Sequence, residues 1–384
     1  MSVTVRMPDK KVITAEIEAI IRKIDTNMLK FQNKFPHKSA TGNYSDSLNL
    51  DGNWTGSFWT GMVLLAYVYT EDKKYLDYLF NYMPVFRQRL ETGYKDHDLG
   101  FLYQLYATAL YKITGNEEAK ELAVQAGEEL LKRYNSLGKF IRAWGRLEEE
   151  DRKGKLIMDC MMNLPLLYCA SEMSGQIKYF LAAEGHADTT CHYCIREDNS
   201  TYHTYDFNPY TGEPVGGFNE GGYADESAWS RGQAWGIYGF VLSYEHTGLD
   251  KYLTAAENLA DYYLNNLPQD VIPYWDFKLP DFTDALKDAS AASIAASGML
   301  DIAALEPDAE KSQFYEASAY KILESLRTNY SKAMDWTVEG ILPNCFVRDS
   351  TLGEMHSYTI WGDYYYLELL MKAVGINPKL WTLK

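Results

Sequence analysis

Four short turns of similar sequence recur along the chain, and they constrain the fold more than any other feature. They span residues 69–72, 113–116, 173–176 and 246–249, and each joins an apolar, aromatic helical stretch to a more amphipathic one. Each turn contains Thr or Ser, usually followed by Gly. Recurring helical hairpins cannot bury their apolar faces alone, and stacked neighbours supply the missing core. The repeat therefore predicts an all-α protein built from stacked helical hairpins.

The remaining helical stretches close these hairpins into a ring. A fifth, weaker hairpin is predicted over residues 289–304 and 313–330, where small residues precede an amphipathic pattern. An amphipathic helix at about residues 15–35 and an apolar helix at about residues 359–374 supply the two halves of a sixth hairpin. Their pairing predicts an (α/α)6 barrel, a toroid of six hairpins that forms a single catalytic domain over residues 1–384.

Composition and charge restrict the partners of the chain. Hydrophobic residues make up 46% of the sequence, which is enough to bury a large core. The formal net charge of −16 argues against nucleic acid, because binding it requires Lys and Arg to neutralise phosphates. The opening residues lack the apolar core of a signal peptide, no later run is long enough for a membrane span, and the five cysteines are irregularly spaced. We therefore expect a cytoplasmic monomer or weak homodimer with no nucleic-acid or membrane partner.

Two carboxylates lie within apolar helical sequence. Asp159 stands among Leu, Ile, Met and Cys in the run 156–168, and Asp98 directly precedes the apolar run 99–103. Loss of hydration favours the neutral form of a carboxyl group and raises its pKa towards the range of a general acid. Each Asp also suits the N-cap of a helix, where it would accept backbone N–H groups. The occurrence of two such arrangements favours a catalytic pair over two caps.

Inner helices of such a ring run in the same direction, so their N-terminal ends meet at one mouth of the barrel. Helix N-termini add positive potential there, which lets an acidic protein hold a small anion. The long connection 197–230, rich in Gly and Tyr, is predicted to form an ordered lid over this mouth. Side chains at or just before the helix starts should converge at the mouth: Trp54, Trp59, Asp98, Asp159, Arg231 and Tyr358.

Seven motifs occur in the order found in one family of carbohydrate-active enzymes. Together they resemble the unsaturated glucuronyl hydrolases of glycoside hydrolase family 88, over about residues 31–370. The resemblance implies an (α/α)6 barrel, in agreement with the ring of hairpins, and a cytoplasmic enzyme that uses no metal and no other cofactor. The motifs lie at residues 53–59 (NWTGSFW), 96–103 (DHDLGFLY), 142–145 (RAWG), 157–167 (IMDCMMNLPLL), 202–204 (YHT), 229–240 (WSRGQAWGIYGF) and 358–365 (YTIWGDYY).

The resemblance implies release of a 4,5-unsaturated uronic acid from the non-reducing end of oligosaccharides that polysaccharide lyases produce. The implied chemistry is hydration, in which an acid protonates C4 of the vinyl ether, water adds at C5, and the hemiketal opens. Asp159 would be the general acid and base. Asp98 would bind sugar hydroxyls and, as a nearby negative charge, help to keep Asp159 protonated. The alternative is an unsaturated rhamnogalacturonyl hydrolase of family 105, which applies the same chemistry to pectin fragments.

The resemblance also implies roles for residues around the two aspartates. His203 would hydrogen-bond the sugar or orient the water. Arg231 would bind a carboxylate, although a structural salt bridge at the helix start is an alternative role for it. Tyr358 would lie towards the second sugar. Flat faces for stacking on the sugar would come from four tryptophans, each of which equally suits the core: Trp54, Trp144, Trp229 and Trp235.

Two features bear on the second sugar. In a loop where some family members carry Gln, this chain has Glu220, which would disfavour a sulfated or acidic sugar at that position. The segment 348–357, near the position that sets sulfate preference in some relatives, offers Arg348, Ser350 and His356. These residues leave the preference for sulfated glycosaminoglycans open.

Three other classes of protein are alternatives to this enzyme. A sugar epimerase on the same toroid would use paired histidines, and a zinc protein would use Cys191 and Cys194. An interaction scaffold would need neither the histidines nor the metal site. One CxxC pair is a weak metal signal. Carboxylates among apolar side chains are costly for a scaffold. These points leave the metal-free hydrolase that the resemblance implies as the favoured interpretation.

Overall fold

The computed structural model describes residues 9–349 and 353–384, so Ser350 lies outside the described residues. Helices of an inner and an outer layer alternate along the chain in an (α/α)6 barrel, as the repeat predicts. The outer helices are α1 (Lys10–Phe31), α3 (Lys74–Phe80), α4 (Met83–Thr92), α7 (Glu117–Leu131), α9 (Ile177–Tyr193), α11 (Asp250–Asn265) and α13 (Ala309–Ser325). The inner helices are α2 (Gly56–Thr70), α5 (Leu99–Tyr103), α6 (Ala109–Thr114), α8 (Leu164–Ser174), α10 (Ser230–Thr247), α12 (Ala289–Leu305) and α14 (Ile360–Ala373).

The inner helices close on themselves because each contacts the next. Contacts run from α2 through α5, α8, α10 and α12 to α14, which returns to α2. Helix α1 packs against α14, so the two ends of the chain form a hairpin. The bounds of α1 differ from the prediction of 15–35. The helix starts earlier because the Asp9 side chain caps the Lys11 N–H, and it ends earlier because the backbone leaves the helical region at Gln32, with φ of 53°.

The recurring turns share one geometry. In each, the hydroxyl of Thr or Ser donates to a carbonyl four residues earlier at 2.6–2.7 Å and accepts a backbone N–H two residues later. The following residue ends the inner helix in the left-handed conformation, with φ between 59° and 70°. Glycine adopts that conformation without a Cβ penalty, which explains its recurrence. These C-terminal residues are Glu71, Gly115, Gly175 and Gly248.

A Lys-Tyr pair after three of the turns ties adjacent outer helices together. In α11, the Tyr252 hydroxyl donates to Oδ1 of Asp188 on α9 at 2.6 Å, and Nζ of Lys251 lies 2.5 Å from the same oxygen. Each such contact joins one outer helix to the preceding one. The same tyrosine contact recurs between Tyr75 and Asp25 and between Tyr179 and Glu128.

In the described part of the chain, three small antiparallel sheets accompany the helices and modify the all-α prediction. The long connection 197–230, predicted as a lid, contains two strands of one sheet. The sheets comprise β1 (Lys38–Ser39), β8 (Gly353–Thr359) and β7 (Cys345–Asp349); β2 (Tyr134–Asn135) and β3 (Phe140–Ile141); and β4 (Lys155–Ile157), β5 (Thr204–Phe207) and β6 (Pro214–Phe218).

The C-terminal segment covers the ends of the inner helices opposite the mouth. Lys112, in the last turn of α6, donates to the carbonyls of Lys379, Thr382 and Lys384 at 2.8–2.9 Å. The indole of Trp381 lies parallel to the ring of Tyr365 on α14, with centroids 6.0 Å apart. The C-terminal segment therefore covers this end of the barrel, and the inner helices begin at the opposite end.

Candidate active site

Asp159 lies in a short 3-10 turn, Met158–Asn163, between β4 and α8. Its side chain caps neither the turn nor the helix, whose N-cap residues are Ile157 and Asn163. The capping alternative for Asp159 is therefore wrong. The side chain is 18% exposed, and Oδ2 is buried without a hydrogen-bond partner among the described residues. A buried polar atom without a partner requires an explanation, and a catalytic role is among those that such atoms have.

The sheet of β4, β5 and β6 brings His203 to Asp159. Ile157 at the end of β4 pairs with Thr204 at the start of β5, and the Met158 N–H donates to the His203 carbonyl at 2.9 Å. Because His203 directly precedes one strand and Asp159 shortly follows the other, the pairing places their side chains together. Nε2 of His203 lies 3.2 Å from Oδ2 of Asp159.

A backbone contact determines which nitrogen of His203 carries the proton. The Gly221 N–H donates to Nδ1 at 2.9 Å, so Nδ1 is an acceptor and carries no hydrogen. The neutral imidazole therefore has its proton on Nε2, which faces Asp159. The Nε2–H therefore lies near Oδ2 of Asp159 without forming a hydrogen bond to it, and the contact of His203 with sugar or water stays a prediction.

Asp98 occupies the N-cap position of α5, but its side chain makes no capping hydrogen bond. Its Oδ1 lies 3.2 Å from Nε2 of His97, a residue that the sequence analysis did not single out. Burial raises the pKa of Asp98 well above its usual range, and the charges of Asp96 and Asp159 raise it further. Burial also lowers the pKa of His97, so both shifts favour a protonated Asp98 and an uncharged imidazole. The expectation that Asp98 is a negative charge that helps to keep Asp159 protonated stays a prediction.

The raised pKa of Asp98 predicts that Asp98→Asn stabilises the protein at neutral and alkaline pH. The folded protein keeps a proton that the unfolded chain releases, so this group lowers stability as the pH rises from the ordinary carboxyl pKa to the raised one. Asparagine does not ionise and avoids that loss. In thermal melts we expect the variant to exceed the wild type at about pH 8, with a difference that shrinks towards about pH 4.

The exposed Asp77 on α3 supplies the control for this measurement. Asp77→Asn should change the melting temperature little at either pH, because surface substitutions have small effects. An Asp98→Asn difference that does not depend on pH would contradict the neutral Asp98–His97 pair.

Asp98 and Asp159 come together because α5 touches the 3-10 turn at a glycine. A Cβ on Gly100 would lie 2.3 Å from Cα of Asn163, a distance that no other residue type tolerates without a backbone shift. The Phe101 N–H donates to Oδ1 of Asn163 at 2.5 Å and fixes the same approach. The glycine of the Asp-Leu-Gly motif therefore sets the spacing of the two carboxylates.

A chain of ring contacts surrounds the two aspartates, and we call its six members the aromatic collar: Trp54, Trp361, Trp229, His203, Trp144 and His97. The Arg231 guanidinium joins two of them, lying 4.7 Å from the Trp229 ring centroid and 5.7 Å from that of Trp361. Trp54 and Asp98 line the same cavity of about 70 Å³, and Asp98 contacts His97, so the chain of contacts returns to its first member. The ring centroids are 5.0 Å apart for Trp54 and Trp361, 4.8 Å for Trp229 and His203, 5.9 Å for His203 and Trp144, and 6.0 Å for Trp144 and His97.

Three of the four tryptophans predicted to stack on the sugar, Trp54, Trp144 and Trp229, belong to the collar. Trp235 is 1% exposed and packs in the interior against aromatic rings of α5 and α14. It therefore belongs to the core, which was the alternative role that the sequence allowed. Trp59, which the sequence places at the mouth, is also 1% exposed and contacts α1 and α3 instead. The predictions that Trp235 stacks on the sugar and that Trp59 lies at the mouth are therefore wrong, because both side chains face neighbouring helices.

Arg231 combines both roles that the sequence allows. Its Nη1 donates to the fully buried carboxylate of Asp288 and, at 2.8 Å, to the Phe346 carbonyl, so the structural salt bridge is present. Nε and Nη2 make no hydrogen bond to a described residue. Because no described residue accepts from these two donors, they are available to a substrate carboxylate. That contact stays a prediction.

Tyr358 and Glu220 make their contacts outside the collar. The ring of Tyr358 lies over Gly42 and Gly340, beside the sheet that joins the two ends of the chain. Oε1 of Glu220 lies 3.4 Å from Nζ of Lys155, so a cation offsets its charge. The roles of both residues towards the second sugar stay predictions.

Donor atoms of Asp96, His97 and Asp98 lie within 4.8 Å of one another, which makes them the one candidate metal cluster in the described ranges. Contacts within the cluster already use several of these atoms. Oδ1 of Asp96 accepts the Asp98 N–H at 3.0 Å, and His97 faces Asp98. The thiols of Cys191 and Cys194 are free. The expectation of an enzyme without a metal stays a prediction.

The model of glycosyl hydrolase family 88 matches residues 27–366. The chain belongs to this family. The family 88 enzyme described here is 38% identical to the unsaturated glucuronyl hydrolase of Bacillus sp. (strain GL1), over 90% of this chain and 92% of the relative. It is 35% identical to the unsaturated chondroitin disaccharide hydrolase of Streptococcus pneumoniae, over 94% and 92% of the two chains.

Solved structures of unsaturated glucuronyl hydrolases have the same fold as the family 88 enzyme. The crystal structure of the Bacillus sp. GL1 unsaturated glucuronyl hydrolase, responsible for the degradation of glycosaminoglycan, superposes with a TM-score of 0.89 at 36% identity, covering 95% and 96% of the chains. An Asp-to-Asn mutant of the Streptococcus agalactiae enzyme complexed with dGlcA-GalNAc6S gives 0.82 at 32% identity, covering 96% and 93%. Within the described ranges of this glycoside hydrolase, no helix combines the length and apolarity needed to cross a membrane.

Proposed function

We propose that this family 88 enzyme releases the 4,5-unsaturated uronic acid from the non-reducing end of glycosaminoglycan-type oligosaccharides left by polysaccharide lyases. One observation carries the proposal. Asp159 and Asp98 lie within one aromatic collar, each paired with a histidine and, among the described residues, neither in an ion pair with Lys or Arg. The names of the relatives, unsaturated glucuronyl and chondroitin disaccharide hydrolases, support this substrate class over pectin-derived rhamnogalacturonan.

In the proposed reaction Asp159 gives a proton to C4 of the vinyl ether, and positive charge develops at C5 and the ring oxygen. Water then adds at C5 and returns a proton to Asp159, and the hemiketal opens and releases the second sugar. Oδ2 of Asp159 suits this exchange because no described residue hydrogen-bonds it. The Nε2–H of His203, 3.2 Å away, stabilises the carboxylate that remains after the first proton transfer.

Asp98 and Arg231 hold the substrate in this proposal. As a carboxylic acid, Asp98 donates a hydrogen bond to a sugar hydroxyl and adds no repulsion towards the anionic sugar. The free donors of Arg231 bind the substrate carboxylate, and the indole faces of Trp54, Trp144 and Trp229 cover the apolar face of the ring. Three of these five side chains are members of the collar, Arg231 lies against two of its rings, and Asp98 contacts its member His97.

A substrate panel tests this function. Purified enzyme is incubated with unsaturated chondroitin, unsaturated hyaluronan and unsaturated rhamnogalacturonan disaccharides, and loss of the conjugated ultraviolet absorbance is followed. We expect turnover of at least one glycosaminoglycan disaccharide at a kcat/KM well above that of the rhamnogalacturonan disaccharide. Turnover of the rhamnogalacturonan substrate alone would contradict the proposal and favour the family 105 specificity.

We also propose that the enzyme acts in the cytoplasm as a monomer or weak homodimer. All five cysteines are free thiols, which suits a reducing compartment. The net charge of −16 makes association of copies unfavourable at low salt. Cell fractionation and light scattering at several protein concentrations test the two statements, and a secreted protein or a concentration-independent oligomer would contradict them.

A further inference from the structure

A buried aspartate behind the collar has no part in the reaction proposed above. Asp276 is fully buried and, in the described part of the chain, makes no ion pair with Lys or Arg. Its two oxygens accept four hydrogen bonds, three of them from one loop. The donors are the N–H groups of Tyr223 (2.9 Å), Ala228 (3.1 Å) and Lys278 (2.9 Å) and the hydroxyl of Ser227 (2.6 Å).

Asn219 fixes the other end of the same loop, residues 219–228. Its Oδ1 accepts the N–H of His203 at 2.7 Å, and its Nδ2 donates to the carbonyls of Asp225 at 3.0 Å and Ser227 at 2.8 Å. These bonds close the loop on itself directly above the imidazole. The loop backbone therefore has one position relative to His203.

The paired glycines of the loop leave no free space in this arrangement. A Cβ on Gly221 would lie 2.8 Å from the indole of Trp229, and a Cβ on Gly222 would lie 2.9 Å from Oδ2 of Asp276 and 2.6 Å from the Ser227 hydroxyl. Close packing on both sides means that a shift of the buried carboxylate moves the backbone of the loop. The N–H that reaches His203 belongs to the first of these glycines.

We propose that Asp276 is a positioning residue that holds the Gly221 N–H against Nδ1 of His203 and thereby fixes the tautomer that faces Asp159. The inference rests on the proposed function of Asp159. If Gly221 moves away, the imidazole proton is free to occupy Nδ1, and Nε2 then presents a lone pair to the carboxylate. The imidazole would then turn no N–H towards Asp159, although every residue of the reacting pair remains in the chain.

The isosteric variant Asp276→Asn tests this role. An amide keeps the shape but offers one acceptor oxygen in place of two, so at least one loop N–H loses its partner. We expect kcat to fall by about 10- to 100-fold with a small change in KM, because a misplaced catalytic group lowers the rate more than binding. Ring ¹⁵N spectra should show Nε2–H at His203 in the wild type and a mixture of tautomers in the variant.

Asp363→Asn is the matched control, because Asp363 is also buried and accepts backbone N–H groups, those of Ile341 and Leu342, outside the loop. It should leave the His203 spectrum unchanged. If Asp276→Asn does not fold, Ser227→Ala removes one donor to Asp276 and should shift the same spectrum by a smaller amount.

A wild-type spectrum with the proton on Nδ1 would overturn the inference, as would Asp276→Asn with the wild-type spectrum and kcat. The ¹⁵N spectrum is recorded without substrate and does not depend on turnover. A wild-type enzyme that shows Nε2–H but hydrates no unsaturated disaccharide would therefore contradict the proposed function and leave the positioning role supported.

Discussion

Asp159→Asn will lose turnover of the unsaturated disaccharide by about 10³-fold or more, because an amide cannot exchange a proton with C4 or with water. The fold should be retained. Oδ2 accepts no hydrogen bond from a described residue, so the amide breaks none, and the change at the 3.2 Å contact with His203 is local. Substrate binding should also survive, since the collar and Arg231 are unchanged. Steady-state absorbance assays give the rate, and quenching of tryptophan fluorescence gives the Kd.

His203→Gln is the informative companion to Asp159→Asn. It keeps a donor near Oδ2 of Asp159 but cannot reproduce the fixed imidazole, so we expect a smaller loss of kcat, of about 10- to 100-fold. An Asp159→Asn enzyme with a rate within a few fold of wild type would remove Asp159 from the chemistry. A variant that loses binding and folding together would be uninformative about catalysis, so thermal melts accompany each assay.

Gly100→Ala should have the largest combined effect on stability and activity. The added Cβ would lie 2.3 Å from Cα and 2.5 Å from the carbonyl oxygen of Asn163. Both are backbone atoms that cannot swing aside, so α5 and the 3-10 turn must separate. We expect a loss of about 1–3 kcal/mol in the free energy of unfolding and a fall in kcat/KM of about 100-fold, because Asp98 and Asp159 lose their relative position.

Gly216→Ala is the matched control, because no atom lies within 4 Å of the Cβ position at Gly216 and its φ is not positive. The control should retain the stability and the activity of the wild type. Denaturant unfolding and substrate turnover are measured for both variants. A Gly100→Ala enzyme as stable and active as the control would mean that the two carboxylates do not depend on this close approach.

The ring of hairpins could be predicted because its signals are local. Thr or Ser followed by Gly has the same backbone geometry in the turns at Gly115, Gly175 and Gly248, and the apolar stretches before them are long enough to identify. The pairing of α1 with α14 needed one further argument, that a ring leaves no hairpin half without a partner. The predicted start of α1 was less accurate, because hydrophobic periodicity does not show the N-cap that Asp9 provides.

The contact between Asp159 and His203 could not be predicted from the residues alone. It depends on β4, a strand of three residues, pairing with β5 about 50 residues later in the chain. Strands this short show no alternating pattern, and their pairing is set by the barrel beneath them. Family resemblance singled out both residues, but it gave neither their distance nor the bond from Gly221 that fixes the tautomer.

The members of the collar illustrate the same limit at individual residues. Trp361 and His97 lie inside quoted motifs, yet the sequence contains no sign that their rings belong to the collar. Trp235 and Trp59 occupy equally aromatic sequence and face neighbouring helices. The direction of a side chain on an inner helix depends on packing against two neighbours, so periodicity alone cannot separate a mouth position from a core position.

Hydration of the C4=C5 bond by Asp159 is tested most directly by running the wild-type reaction in deuterated water. The released acid is then examined by mass spectrometry and NMR. We predict one deuterium at C4, in a single configuration, because one carboxyl group delivers it from one face of the ring. Release of an acid that keeps its double bond and carries no deuterium at C4 would contradict the proposed chemistry.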